Sequence, residues 1–175
     1  MVSPEFAWQE LSDVEEDAAW ERFYRRFQWI KEYERGTGAA IREPVPSVTW
    51  SIAHAFGEQR DFLETNLNVK VHRALRRCTK PDQKVFALDW QHQCYWFWPR
   101  RFDDAAHGES WKVPVLPDGD YYIFLAQDFC FGLFGNPHEK TLCVFGQALL
   151  DVLEQDRPLL LAKSARVRQE GMPLS

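Results

Sequence analysis

Long apolar runs are missing from this 175-residue chain, and so is any excess of positive charge. No apolar stretch approaches the roughly 20 residues that a membrane-spanning helix needs. The net charge of −5 gives no electrostatic footprint for DNA or RNA. Neither a membrane nor a nucleic acid is therefore expected as a partner. Cysteine is sparse: Cys78, Cys94, Cys130 and Cys143 are widely spaced and form no C-x-x-C pair, which argues against a zinc site. The acidic opening (Glu10, Asp13, Glu15, Glu16, Asp17) lacks the basic and apolar regions of a signal peptide, so a cytoplasmic address with reduced thiols is expected. Also absent are a Gly-x-Ser-x-Gly elbow, a phosphate loop and a dinucleotide fingerprint. Nothing in the sequence asks for a cofactor or a metal.

Aromatic residues are what the chain has in abundance: eight Trp, thirteen Phe and five Tyr. Rings in this number supply much of the burial energy of a core or an interface. Ser12-Asp-Val-Glu15 reads as a capping box, and Trp20, Phe23, Tyr24 and Phe27 recur at helical spacing, predicting a helix over Asp13 to Trp29. Val48 to Ile52 alternates like a half-buried strand. Leu63, Leu67, Val71, Ala74 and Cys78 make one stripe of a second helix, Glu58 to Thr79. Its last turns carry cations (Lys70, Arg73, Arg76, Arg77) that complement the macrodipole. Lys84 to Trp90 and Cys94 to Trp98 flank a polar turn as a hairpin, and Trp111 to Val115 reads as a short edge strand. Tyr121 to Gln127 and Thr141 to Phe145 read as strands, and Gln147 to Gln155 as a third helix. The expected fold is an α+β single domain, 1–175, with a largely antiparallel sheet of about five strands. Three helices would pack with it in a single layer pair, and residues 162–175 would form a mobile tail.

Three phrases together carry a resemblance: Glu43-Pro44-Val45-Pro46-Ser47-Val48; Ala87-Leu88-Asp89-Trp90-Gln91-His92-Gln93-Cys94-Tyr95-Trp96-Phe97; and Pro117-Asp118-Gly119-Asp120-Tyr121-Tyr122 running on to Phe145-Gly146. The chain resembles an uncharacterised bacterial family, domain of unknown function 2716, over nearly its whole length. The resemblance implies no activity, cofactor or catalytic residue. Where the family has a Gly-His-Pro-Trp-Glu phrase, this chain has Gly135-Asn136-Pro137-His138-Glu139.

Asp89 and His92 sit beside the predicted hairpin turn, where a carboxylate can tune a histidine as a general base or can simply bond turn backbone groups. His138 and Glu139 are a second acid–base candidate. Asp118 and Asp120 suit either turn chemistry or a cation, with Asp128 a strand's length away. Asp128 to Lys140 reads as an unusually apolar loop, whose Phe129, Phe131, Phe134 and Asn136, with Asp128 and the hairpin's Trp90 and Trp96, form the candidate binding set. The leading expectation is a recognition domain that buries Phe131 and Phe134 against a protein partner, as an immunity-type protein would. Replacing both with Ser should then abolish capture and spare the fold. The alternative is an enzyme or carrier for a small aromatic ligand, with a Trp- and Tyr-lined pocket and Asp/His acid–base groups.

Overall fold

Helix α1 (Asp13–Phe27) begins as its sequence dictates. The Ser12 hydroxyl accepts from the Glu15 amide while the Glu15 carboxylate accepts from the Ser12 amide, closing the capping box. The computed structural model describes residues 6–30, 40–103 and 110–171. In it α1 stops two residues before Trp29, because Gln28 turns into the left-handed region at φ 48°. Helix α2 (Arg60–Cys78) buries Leu67, Val71, Ala74 and Leu75, and α3 (Gln147–Gln155) buries Leu149 and Leu153. No helix among the described residues is long and apolar enough to cross a membrane.

The strands are β1 (Trp8–Glu10), β2 (Ser47–Ser51), β3 (Val85–Asp89), β4 (Tyr95–Phe97), β5 (Tyr122–Ala126), β6 (Gly132–Asn136), β7 (Thr141–Phe145) and β8 (Ser164–Arg168). They form one antiparallel sheet in the order β1-β4-β3-β5-β6-β7-β2-β8. The α+β class stands, but the sheet has eight strands rather than about five. Three strands escape the sequence pattern for separate reasons. β1 is only three residues long, too short to show a period. β6 contains Gly132, Gly135 and Asn136, which have poor strand propensity. β8 is a charged edge, and it lies in the segment expected to be a mobile tail. Trp111 to Val115 is not a strand, although Val113 and Val115 are fully buried.

The largest departure concerns Asp128 to Lys140. Its middle is not a surface loop but β6, hydrogen-bonded between β5 and β7 near the centre of the sheet. Gly132 is required there: a Cβ would run into the Phe124 carbonyl and the Phe145 ring. Alternation through β6 and the residue before it sends Phe131 and Phe134 to opposite faces. Phe131 and Leu133 join a core with α2 and α3, and Phe134 joins a core with α1. Helices therefore cover both sheet faces, making three layers in place of the single layer pair expected.

This topology creates the site. β3 and β5 are neighbours with Asp89 opposite Tyr122, so the β3–β4 turn and the Asp118–Asp120 turn reach the same end of the sheet. The start of α2 lies there too, with Arg60 Nη2 donating to Asp118 Oδ2 at 2.6 Å.

Candidate functional site

At this sheet end His92 lies between two carboxylates. Its Nδ1 is 2.9 Å from Asp89 Oδ1 and 3.4 Å from Asp120 Oδ2. The ring is held by a turn in which the His92 amide donates to the Asp89 carbonyl and Gln91 takes φ 68°. Asp120 is fixed from the other side by the Tyr121 amide, which donates to its Oδ1 at 2.8 Å. Asp118 accepts from the Tyr122 hydroxyl at 3.2 Å as well as from Arg60. The His92 side chain is 63% exposed while Asp89 is 15% and Asp120 18% exposed, so a solvent-facing imidazole rests on sheltered acids.

The charges shape one another. Hydrogen bonding and attraction from Asp89 hold the His92 imidazolium to a higher pH than the ordinary 6.5. Burial pushes the Asp89 carboxyl above its usual range, and the His92 contact only partly offsets this. Burial also raises the Tyr122 phenol, helped by Asp118, Asp89 and Asp120. Tyr95 rises too, through burial and then Glu10 and Asp89. Asp89, His92 and Asp120 are also a possible cation-holding group among the described residues, with one donor atom each and all three atoms within 4.8 Å. They are few and one is largely exposed, a weak donor set compared with the six or more oxygens that calcium takes.

The other sequence-derived candidates take structural positions. Glu139 is clamped by Arg166, with Nη1 2.5 Å from Oε1, and accepts from Thr141 Oγ1 at 2.8 Å. The His138 ring packs against Tyr121 at 5.5 Å, and its amide, like that of Glu139, donates to the buried Asn136 side chain. Asp128 caps its turn by accepting from the Cys130 amide at 3.1 Å. Phe129 is buried, with Arg22 4.4 Å above its ring. Phe131 and Phe134 are 5% and 3% exposed, so neither ring is free to enter a partner. Trp96 packs in a tilted pair with Phe86 at 4.2 Å and donates Nε1 to Glu15. Trp90 lies on the opposite sheet face from Asp89, against Tyr121 and Trp29. Burial raises the Cys94 thiol to about 12, Cys143 to about 12 and Cys130 to about 11, and raises Cys78 too, so no cysteine is tuned as a thiolate nucleophile.

A second polar cluster went unread in the sequence. Glu43, with a side chain only 2% exposed, accepts from Thr49 Oγ1 at 2.8 Å and from Arg166 Nε and Nη2 at 2.9 and 2.7 Å. Arg168 Nε approaches its other oxygen at 3.4 Å. Arg166 thus bridges Glu43 and Glu139, stitching β8 to the sheet. The one available signal was the basic run at the end of the chain, with nothing to say which acids it would meet. A cavity of about 580 Å³ lies beside this edge, lined by Trp50, Leu150, Asp151, Glu154 and Arg168 among others, and touches none of the predicted site residues.

These features define a class: an α+β protein with one antiparallel sheet, helices on both faces and a histidine–carboxylate cluster at one end. The chain belongs to the family described as "Protein of unknown function (DUF2716)", whose model matches residues 10–150. It is 31% identical over 159 residues to the uncharacterised protein YxiI of Bacillus subtilis (strain 168), across 87% of this chain and 96% of that protein. No solved structure matches it.

Proposed function

We propose that this chain is a cytoplasmic recognition domain that binds a protein partner through the sheet end bearing Asp89, His92, Asp118 and Asp120. One observation carries the reading: β3, β4 and β5 bring these groups together beside two half-buried tyrosines, Tyr95 and Tyr122. Tyrosine is enriched at interface hot spots, and an acidic rim steers a basic partner into place. The contact moves here from Phe131 and Phe134, whose rings are already used in the two cores. An immunity-type protein, which occludes the basic surface of a toxin, would use such a face; that role rests on analogy of charge and size. The four free cysteines suit a reducing compartment.

Affinity capture with the purified chain tests the proposal, using an Asp118→Lys/Asp120→Lys variant shown by circular dichroism to be folded. A stoichiometric protein retained by the native chain and lost by the variant is expected. Equal retention by both would refute the placement.

A second reading, acid–base chemistry on a small molecule, is favoured by the 2.9 Å hydrogen bond that orients His92 on Asp89. Native mass spectrometry separates the two. A small molecule retained by the chain and lost with His92→Ala supports the second reading against the first.

A further inference from the structure

A face opposite in charge to the chain as a whole lies between α2 and α3. There Lys70, Arg73, Arg76 and Arg77 of α2 and Arg100 from the segment after β4 line a groove of about 420 Å³. Its one acid among the described residues is Asp156, just after α3, which is paired with Lys70 and lies 3.5 Å from Arg73 Nη1. The whole chain has 26 acidic and 21 basic residues, so five cations to one carboxylate runs against its composition. The helix macrodipole accounts for Arg76 and Arg77 in the last turn of α2. Contrary to the expectation from sequence, it does not reach Lys70 and Arg73 further back, because the effect fades within the last turn. Nor does it account for Arg100, which comes from a different segment and is held by its Nε donating to the Thr79 carbonyl at 2.6 Å. Among the described residues no hydrogen bond or ion pair engages the two Arg100 terminal nitrogens. Arg76 has no ion-pair partner among the described residues. Like charges gathered in a concavity repel one another, and a bound anion relieves that repulsion.

We propose that this groove binds an oligophosphate chain. Guanidinium forks match phosphate oxygens in pairs, and arginine predominates here over lysine. Among the described residues the apolar lining is Ala74 and Val152, and none of the lining residues is aromatic. A nucleoside base would therefore find nothing to stack on, and recognition is of the phosphates. This site is separate from the acidic sheet end, and its test does not depend on the partner reading.

Isothermal titration with sodium tripolyphosphate, ATP and adenosine reads the proposal directly. Tripolyphosphate and ATP should bind with similar affinity that weakens as salt rises, and adenosine should not bind. Arg73→Glu/Arg77→Glu should weaken both phosphate ligands at least tenfold. Arg73→Gln/Arg77→Gln should weaken them less, in the same direction, which covers the case in which charge reversal disturbs the fold. Arg25→Glu/Arg26→Glu, on the arginine-bearing face of α1, should change neither. Absence of saturable tripolyphosphate binding, equal loss in the α1 variant, or ATP binding without tripolyphosphate binding would each overturn it.

Discussion

Two clusters in this protein place a cation between two carboxylates, and they behave oppositely. Arg166 lies between Glu43 and Glu139 against the sheet, with the Glu43 side chain 2% exposed. His92 lies between Asp89 and Asp120 at the sheet end, 63% exposed. The guanidinium cannot lose its proton, and the hydrogen bonds it donates to Glu139 and Glu43 hold it charged still more firmly. It therefore acts as a permanent rivet for β8. The imidazole changes charge near neutrality, so the same pattern at the surface becomes a group that responds to pH. Burial and the choice of cation, rather than the pattern, decide whether such a cluster holds the fold or faces solvent.

The comparison can be broken first at its foundation, the buried layers. Replacing Phe131 and Phe134 together with Ser removes one ring from each core. Since a buried Phe→Ala costs about 3–5 kcal/mol, the double variant should lose its cooperative thermal transition altogether. A folded double variant would return both rings to the surface, contrary to their burial here.

Next comes the rivet. Glu43→Ala leaves Arg166 with Glu139 alone and takes the carboxylate from Arg168, and should cost about 1–3 kcal/mol in urea unfolding, as loss of one partner of a sheltered charged hydrogen bond does. Replacing Glu43, Arg166 and Glu139 together by apolar residues of similar size should cost less, because only the partly exposed Arg168 then loses a partner. Equal losses would show that the cluster does not act as a unit.

A smaller effect is expected at the α1 cap. Ser12→Ala should cost about 1 kcal/mol. Hydrogen bonds from Ser12 and Trp96 hold the Glu15 carboxyl at about 2, below the ordinary 4.5. Its contribution is therefore present above pH 4.5 and lost as pH falls toward 2, so the native chain should lose more stability over that interval than Glu15→Gln.

The smallest change in stability is expected for His92→Ala at the surface. The informative readout there is titration. The folded His92 pKa is raised, so its stabilising contribution is complete below 6.5 and disappears as pH rises through the higher folded value. Asp89→Asn should lower the His92 midpoint in an NMR titration. An unmoved midpoint would separate His92 from Asp89 and remove the distinction between the two clusters.

Much of the framework was legible because it is local. The Ser12 capping box, the α2 stripe and the α3 bounds Gln147–Gln155 follow from short-range periodicity and capping, and all are present. The Asp89–His92 pair was legible for the same reason, since residues three apart across a turn are bound to be near one another. β6 was not, because its two glycines and asparagine carry no strand preference; it is a strand only because β5 and β7 supply hydrogen bonds on both sides and leave no room for a Cβ at Gly132. β8 was misread for a related reason: a charged segment looks like a solvated tail unless its acids are known, and Glu43 lies more than a hundred residues away.

The sequence by itself determined the helices, most strands, the acidic balance and the abundance of rings, all set by residue type and near-neighbour spacing. Only the tertiary structure decided which rings are core, which acids meet Arg166, and that Asp120 joins Asp89 around His92. Those contacts join residues far apart in the chain. They exist because antiparallel pairing places β3 beside β5, and β8 beside β2, and no local pattern encodes that order.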